Sequence, residues 1–271
     1  MPELPEVETV KNGLNKIVKN LKVVDVKIYK KQLRNKIPVS FKKNILAGSK
    51  IIEVRRKAKY LVFDLTHGCL INHLGMTGNW KLKGSDYARE KHDHVDLVLS
   101  NKKRLIYNDP RRFGVMLFSK NEEDYFASKK HGAEPLSKNY NFKYLKEKLK
   151  NKKAPIKSVL MDQAVVLGIG NIYVAETLHK CGVSPLRPSN KVNDVELKLI
   201  VKHSKLVLRQ AIKAGGSTIK DFKKAGGESG YFQTKLLVYG REGQLCRKCH
   251  TPIENEKLSG RSSFWCPECQ A

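Results

Sequence analysis

Cys246-Arg-Lys-Cys249 and Cys266-Pro-Glu-Cys269 are the two stretches of this chain that say most about how it folds. Two thiolates separated by two residues can hold one metal ion from a tight turn, and two such turns complete a tetrahedral four-thiolate site. The spacing between the pairs suits a small β-hairpin. Two disulfides are the alternative, which is disfavoured because nothing else in the sequence suggests export. We therefore predict one structural Zn²⁺ bound to these four cysteines.

The charge of the chain predicts a polyanionic partner. Its 271 residues include 53 Lys and Arg against 26 Asp and Glu, a formal net charge of +27. Such an excess beside a metal module favours nucleic acid over a lysine-rich composition that only maintains solubility. A membrane partner is disfavoured, because we find no basic amphipathic anchor, no apolar run of spanning length and no signal peptide. We expect a cytoplasmic protein in which Cys69 and Cys181 are reduced core residues.

Hydrophobic periodicity predicts an α+β protein with more than one domain. Apolar residues at helical spacing in 7–21 predict one amphipathic N-terminal helix. Short alternating stretches separated by turns in 24–107 predict a β-sandwich. The period is helical in 142–214, and the glycine-rich stretch 215–230 predicts a mobile loop.

Pro2 and Glu3 at the N-terminus have two interpretations. Proline suits the first turn of a helix for structural reasons, because its fixed φ fits and no needed N–H is lost. Alternatively, removal of Met1 leaves Pro2 with a free secondary amine. An α-amine has a pKa near ~7.7–8.0, so a useful fraction is neutral and can form a Schiff base with an aldehydic carbon. Glu3 is then an acid or base, or only a favourable charge at a helix N-terminus. From these residues alone the structural role is favoured.

Two basic or imidazole motifs also have more than one interpretation. Strand alternation would place Lys57 and Lys59 on one face, either as edge charges or for proton transfer or phosphate binding. His92-Asp93-His94 resembles a metal pair. Because no third ligand lies nearby in sequence, a phosphate contact or simple packing is favoured for His92.

Two glycine-bounded motifs predict contacts with a nucleic acid. The segment 109–114, Asp-Pro-Arg-Arg-Phe-Gly, is a turn with a core Phe or an intercalating wedge with a cationic flank. Met76 is a second possible wedge, although a lone Met is usually a core residue. Gly168-Ile-Gly-Asn171 is weak evidence for a nucleotide site, since no strand precedes it. It fits a helix–turn–helix with Asn171 as N-cap, whose helix N-terminus can receive a phosphate.

Taken together, these motifs resemble one family, the bacterial formamidopyrimidine-DNA glycosylases, also called 8-oxoguanine DNA glycosylases. The resemblance runs from end to end, in order and spacing. It rests on the opening MPELPEVET, on HLGM at 73–76, KHDH at 91–94, DPRRFG at 109–114 and GIGNIY at 168–173, and on the cysteine pairs. With this resemblance, a nucleophilic role for Pro2 is favoured over the structural role.

The resemblance implies a bifunctional DNA glycosylase and AP lyase for oxidised purines, namely 8-oxoguanine and formamidopyrimidines. Pro2 would attack C1′ and displace the base, assisted by the acid Glu3. The resulting iminium makes the C2′ proton acidic, so β-elimination and then δ-elimination cut the strand. Lys59 would donate a proton for β-elimination and Arg261 for δ-elimination. The chain departs from the family pattern here, because a second lysine, Lys57, lies two residues before Lys59 and is an alternative donor.

The resemblance also implies a DNA interface. His92, Arg111, Lys153 and Asn171 would contact phosphates, with Lys152 as an alternative to Lys153. Met76, Arg111 and Phe113 would fill the gap left by the flipped base, and 217–231 would cover that base.

Four domains and a partner follow from the same resemblance. The predicted domains are a catalytic N-terminal helix and β-sandwich (1–133), a helix–two-turn–helix domain (134–224), a linker at the end of the lid (225–236) and a four-cysteine zinc β-hairpin (237–271). The expected partner is double-stranded DNA containing oxidised bases or abasic sites, bound by a monomer in the bacterial cytoplasm at the nucleoid.

Two other functions stay open. The first is an endonuclease VIII-type glycosylase for oxidised pyrimidines, whose chains tend to begin Met-Pro-Glu-Gly where this chain has Leu4. The second is a non-catalytic zinc-ribbon protein that binds nucleic acid, for which the charge and the four cysteines would suffice.

Overall fold

Helix α1 (Leu4–Val18) forms where the apolar periodicity predicts the N-terminal helix. Its apolar stripe is fully buried, since Leu4, Val7 and Leu14 are each 0 % exposed. Glu3 is the N-cap in an extended conformation, and Pro5 lies in the first turn, where proline does not disrupt a helix. The first residues of the chain are therefore fixed against the core.

The computed structural model describes residues 2–46, 50–217 and 232–271. The described residues divide into two units. Unit 1 contains the described residues up to 129 together with 214–217, and unit 2 contains 130–213 together with 232–271. Most of the predicted loop over 215–230 and of the predicted lid over 217–231 lies outside the described residues.

Unit 1 is built on two four-stranded antiparallel sheets, which confirms the predicted sandwich. One sheet has the strand order β1-β6-β7-β5 and the other β2-β3-β4-β8. The strands are β1 (Val23–Ile28), β2 (Ile51–Lys57), β3 (Tyr60–Leu65), β4 (Gly68–His73), β5 (Asn79–Lys83), β6 (Asp93–Leu99), β7 (Arg104–Asn108) and β8 (Val115–Ser119).

A large hydrophobic core lies within unit 1. Side chains from α1 and from the inner faces of both sheets belong to the same buried cluster. Trp80 on β5 packs against Phe63 on β3, with ring centroids 5.4 Å apart. Its indole N–H donates to the Asn72 side chain at 2.9 Å, so the polar edge of this core residue is satisfied.

Two short helices of unit 1 were not predicted from the sequence. They are α2 (Phe41–Leu46) and α3 (Glu122–Ala127). Six residues give too few turns for a helical period to stand out, and tertiary packing stabilises such helices.

Unit 2 combines helices with a two-stranded hairpin. The helices are α4 (Phe142–Leu149), α5 (Ile156–Met161), α6 (Asn171–Cys181) and α7 (Asp194–Lys213), and the hairpin strands are β9 (Glu254–Leu258) and β10 (Arg261–Trp265). Ser259 and Gly260 both have positive φ, 48° and 76°, as a two-residue hairpin turn requires. Among the helices of the described residues, no stretch has the length and apolar character needed to span a bilayer.

The two units do not coincide with the four predicted domains. The zinc-hairpin segment groups with the helices, and 214–217 groups with the sandwich. The functional boundaries at 133, 224 and 236 stay a prediction.

Candidate active site

Buried hydrogen bonds hold the start of α1, next to Pro2. Pro2 is buried, and Glu3 is 4 % exposed. The backbone N–H of Glu3 donates to Glu6 Oε2 at 2.8 Å. The other oxygen of Glu6 accepts from both the backbone N–H (2.8 Å) and the hydroxyl (3.1 Å) of Ser217. Glu6, which is 0 % exposed, thus fixes the residue after Pro2 and the last described residue before 218–231.

Sequence reasoning missed the role of Glu6. A signal for it existed, because an acidic residue three positions after an N-cap is the pattern of a capping box. Its second set of hydrogen bonds goes to a residue 211 positions away, which no local pattern predicts.

Lys59 lies in the turn between β2 and β3 and not within a strand. Ala58 has φ of 52°, in the left-handed region. The Arg56 guanidinium donates to the Ala58 carbonyl at 2.8 Å and to the Glu8 carboxylate of α1 at 2.7 Å. Arg56 therefore ties the turn that carries Lys59 to the helix that begins beside Pro2. Lys59 is only 7 % exposed.

Lys57 is directed to another set of partners. It is the last residue of β2, its ammonium lies 3.4 Å from Glu122 Oε1, and it lies over the Phe126 ring at 4.5 Å. The expectation that Lys57 and Lys59 share one strand face is wrong, because the strand ends between them and a turn follows.

His73, at the end of β4, is neutral in the folded protein. Its Nδ1 accepts a hydrogen bond from the Gly75 backbone N–H at 3.0 Å. Burial lowers the pKa of His73 to about 4, and the nearby positive charges of Lys59, Arg34 and Lys129 lower it further. The ring therefore serves as a hydrogen-bond acceptor at the base of the loop that carries Met76.

Arg111 and Phe113 form an exposed pair. The guanidinium carbon of Arg111 lies 4.7 Å from the centroid of the Phe113 ring, and Phe113 is 44 % exposed. Phe113 is therefore no core residue, and the interpretation of this turn as a wedge with a cationic flank stays a prediction. Met76 is half-buried.

His92 and His94 differ in environment. His94 is 5 % exposed, and its Nε2 bonds the Asp109 carbonyl oxygen at 2.8 Å, which gives it a structural role. His92 is half-buried, and its own carbonyl accepts from the Asp109 N–H at 3.0 Å.

Helix α6 begins one residue earlier than predicted for an Asn171 cap. Gly170 is the N-cap, and Asn171 is the first helical residue. The Asn171 side-chain amide donates to the Ser262 carbonyl at 2.9 Å, so the start of α6 is joined to strand β10. Lys153 is exposed and Lys152 is half-buried.

The hairpin that carries Arg261 is held by a buried lysine that the sequence did not single out. Lys157 on α5 is 2 % exposed, and its ammonium donates to the Ser262 carbonyl at 2.8 Å and to the Ser263 hydroxyl at 2.6 Å. Arg261 itself is exposed at the first position of β10. Only the tertiary contact, 105 residues away in sequence, reveals the role of Lys157.

Glu176 of α6 fixes the chain before the cysteine pairs. Its carboxylate accepts from the consecutive backbone N–H groups of 237, 238 and 239 at 2.8, 3.0 and 3.0 Å. The carboxylate is almost fully buried, and burial raises its pKa although these hydrogen bonds oppose the shift.

The four cysteines form a metal centre. Their Sγ atoms all lie within 4.8 Å of one another, with pairs at 3.3, 3.4 and 3.9 Å. A tetrahedron with Zn–S bonds of about 2.3 Å has S···S edges of about 3.8 Å, so the arrangement fits one Zn²⁺. The alternative of two disulfides is not formed, since all four thiols are free.

The ionisation of these four thiols is a second reason to expect a bound cation. Hydrogen bonds from Thr251 lower the pKa of Cys249 to about 6, whereas burial and the neighbouring sulfurs raise the pKa of Cys269 to about 12. Four thiols packed this closely ionise together only when a cation neutralises their charge.

Comparison with known proteins shows where the chain belongs. Residues 1–116 match the formamidopyrimidine-DNA glycosylase N-terminal domain, 131–223 match the H2TH domain of the same proteins, and 243–271 match a zinc finger found in FPG and IleRS. The chain belongs to the formamidopyrimidine-DNA glycosylase family. The resemblance inferred from the sequence motifs is thereby confirmed.

Curated members of the formamidopyrimidine-DNA glycosylase family are similar over their whole length. The protein of that name from Enterobacter sp. (strain 638) is 43 % identical over 270 residues, covering 100 % of both chains. The one from Rickettsia bellii (strain OSU 85-389) is 45 % identical over 275 residues, covering 100 % of this chain and 99 % of its own.

Solved structures of the family have the same fold. The Lactococcus lactis FPG mutant G226P, in complex with a Fapy-dG-containing DNA, matches with a TM-score of 0.92 at 34 % identity over 99 % of both chains. Lactococcus lactis Fpg, in complex with DNA containing an abasic site, matches with a TM-score of 0.91 at 34 % identity over 99 % of both chains. In this family the four cysteines hold one structural zinc, as the donor set here requires.

Replacement of Cys249 tests the zinc centre. Cys249→Ser should reduce zinc from one per chain to a small fraction, because three thiolates and a hydroxyl no longer neutralise and enclose the ion. We expect DNA binding to be lost with the hairpin. Metal analysis and a gel-shift titration measure both. Cys181→Ser, a change of a cysteine outside the cluster, should retain zinc and binding. Full zinc in Cys249→Ser would contradict the assignment.

The environment of His73 predicts a pH dependence of stability. The folded pKa of about 4 lies below the ordinary 6.5, so between these values the unfolded chain binds more protons than the folded one. The free energy of unfolding should therefore fall as pH drops from about 6.5 toward 4. His73→Gln keeps an acceptor for Gly75 and should flatten this slope in urea unfolding, whereas the exposed His67→Gln should not. An unchanged slope in His73→Gln would show that another group causes the dependence.

Proposed function

We propose that this protein is a base-excision-repair DNA glycosylase and AP lyase that removes oxidised purines, 8-oxoguanine and formamidopyrimidines, from double-stranded DNA. The observation that carries the proposal is the similarity over the whole length to proteins named formamidopyrimidine-DNA glycosylase. Related structures of Fpg hold DNA with Fapy-dG or an abasic site, which supports the same substrates for this chain.

Pro2 is the proposed nucleophile. With Met1 removed, its secondary amine forms a bond to C1′, the glycosidic bond breaks, and the base leaves with the electron pair and a proton. Glu3 is the proposed acid. Its position next to Pro2 and the hydrogen bond between its backbone N–H and Glu6 support this role, because a nucleophile and its acid must be held in a fixed geometry. The C1′–O4′ bond then opens, O4′ takes up a proton, and the resulting iminium acts as electron sink for elimination of both phosphates.

Lys59 and Arg261 are the proposed proton donors for β- and δ-elimination. Lys59 is favoured over Lys57 because Lys57 is held by Glu122 and Phe126, whereas the Lys59 turn is tied to α1 through Arg56 and Glu8. Arg261 is favoured because it is exposed while the residues after it are fixed by Lys157 and Asn171.

The remaining proposed site residues bind DNA. His92, Arg111, Lys153 and Asn171 contact phosphates, and Met76, Arg111 and Phe113 fill the gap left by the extruded base. For Asn171 the support is its place in the first turn of α6, where the positive end of the helix dipole favours an anion. For Lys153 the support is its greater exposure than Lys152. We further propose that the protein acts as a monomer in the bacterial cytoplasm, at the nucleoid.

Trapping with borohydride tests the nucleophile. During reaction with 8-oxoguanine:C duplex, borohydride should reduce the Schiff base and link Pro2 covalently to DNA. Pro2→Gly and Lys59→Ala separate the candidates, since trapping should be lost or strongly reduced only when the amine of residue 2 changes. An intact mass that retains Met1, or trapping that survives Pro2→Gly and vanishes in Lys59→Ala, would refute the assignment. A clear preference for thymine-glycol:A would favour the endonuclease VIII type, and no trapping at all would favour a non-catalytic binder.

Arg261→Ala tests the role of the hairpin. We expect binding and base excision to change by less than about threefold, because the zinc centre and the contacts of Lys157 remain. The product should shift toward the β-elimination fragment, by about tenfold or more, since general-acid contributions are of that order or larger. The neighbouring exposed Lys257→Ala on β9 is the control. Full δ-elimination in Arg261→Ala, measured on denaturing gels, would remove the proposed role.

A further inference from the structure

Asp109 lies at the base of the turn that carries Arg111 and Phe113, directly after β7, and is 0 % exposed. A carboxylate buried this completely must be satisfied by hydrogen bonds. The groups that donate hydrogen bonds to Asp109 show which parts of the chain it holds in place.

The hydrogen bonds of Asp109 join two loops. Oδ1 accepts from the Thr77 hydroxyl at 2.6 Å, and Oδ2 accepts from the Gly114 N–H at 2.8 Å. The same Thr77 hydroxyl accepts from the Arg111 N–H at 3.1 Å. One carboxylate therefore fixes the residue after Met76 and the residue after Phe113 directly, and Arg111 through a hydroxyl.

Steric contact leaves these loops little freedom. A Cβ on Gly75, whose φ is +66°, would lie 2.4 Å from the backbone carbon of Phe113. A Cβ on Gly114 would lie 1.9 Å from the Tyr107 hydroxyl, which itself donates to Asp109 Oδ2 at 3.4 Å. The two loops thus pack backbone against backbone around Asp109.

The side chains carried by these loops are not held by burial. Phe113 is 44 % exposed, and its ring contacts the Arg111 guanidinium at 4.7 Å. An exposed ring is positioned by the backbone beneath it, and here that backbone is positioned by Asp109.

We propose that Asp109 is a positioning residue that presents Met76, Arg111 and Phe113 to the duplex as one pre-formed wedge. The inference rests on the proposed function. Asp109 touches no reacting atom. Its effect is that the loops are ordered before DNA binds, so that insertion beside the lesion does not have to order them.

The test uses Asp109→Asn, Thr77→Val and the double variant. Asparagine keeps the shape of the carboxylate but presents an N–H₂ group where only donors approach. The probe is an 8-oxoguanine:C duplex with 2-aminopurine beside the opposite base, whose fluorescence reports insertion in stopped flow. A duplex with a preformed abasic site, which has no base to extrude, is the second substrate.

We expect both single variants to slow the insertion phase and base excision by about tenfold to a hundredfold, and abasic-strand cleavage by less than about threefold. The double variant should lose no more than the larger single loss, because both changes break the same chain of hydrogen bonds. Asp96→Asn is the control, since Asp96 is equally buried in the same sheet but binds Arg104. It should leave the insertion phase unchanged.

Equal losses on both substrates, or an equal loss in Asp96→Asn, would overturn the proposal by showing a structural effect only. An unchanged insertion phase in Thr77→Val would overturn it too, and this variant decides the matter if Asp109→Asn does not fold. A wild-type chain that cleaves neither duplex would instead overturn the proposed function.

Discussion

The proposed chemistry depends on the hydrogen bonds that the buried Glu6 carboxylate accepts. A nucleophile at the end of a chain has one peptide bond to hold it, so its position must come from its neighbours. Glu6 binds the backbone of Glu3 with one oxygen and Ser217 with the other. The helix that begins the chain is itself fixed by its fully buried apolar stripe. Pro2 is therefore attached to a helix whose start is held by hydrogen bonds and whose apolar face is buried.

Buried polar side chains perform the same task elsewhere in the molecule. Asp109 joins two loops of unit 1, and Lys157 and Glu176 fasten backbone segments of unit 2. Each is nearly or fully buried and bonds more than one group, which is the condition under which a buried charge stabilises one arrangement. The side chains proposed to meet DNA, such as Arg111, Phe113, Lys153 and Arg261, are exposed. In the proposed function, exposed side chains contact DNA and buried charged side chains hold them in place.

Zinc stabilises the hairpin of unit 2, as the apolar core stabilises the sandwich of unit 1. The hairpin of β9 and β10 is too small to bury enough apolar surface alone, so metal ligation supplies part of the folding free energy. Four thiolates would leave a bound ion no open position for water, so the proposed contribution of zinc is to fold the hairpin that carries Arg261.

The sequence by itself determined the helix α1, the sandwich, the helical region and the zinc hairpin, because each has a local period or spacing. It also determined the family, since motifs spread over the whole chain agree in order. Only the tertiary structure decided that Lys57 and Lys59 separate, that Gly170 caps α6 in place of Asn171, and that Phe113 is exposed. It alone revealed the buried hydrogen bonds of Glu6, Asp109 and Lys157. The reason is physical: these hydrogen bonds join residues from about thirty to two hundred positions apart, as in the contacts of Asp109 with Thr77 and Glu6 with Ser217, and no local pattern encodes such pairs.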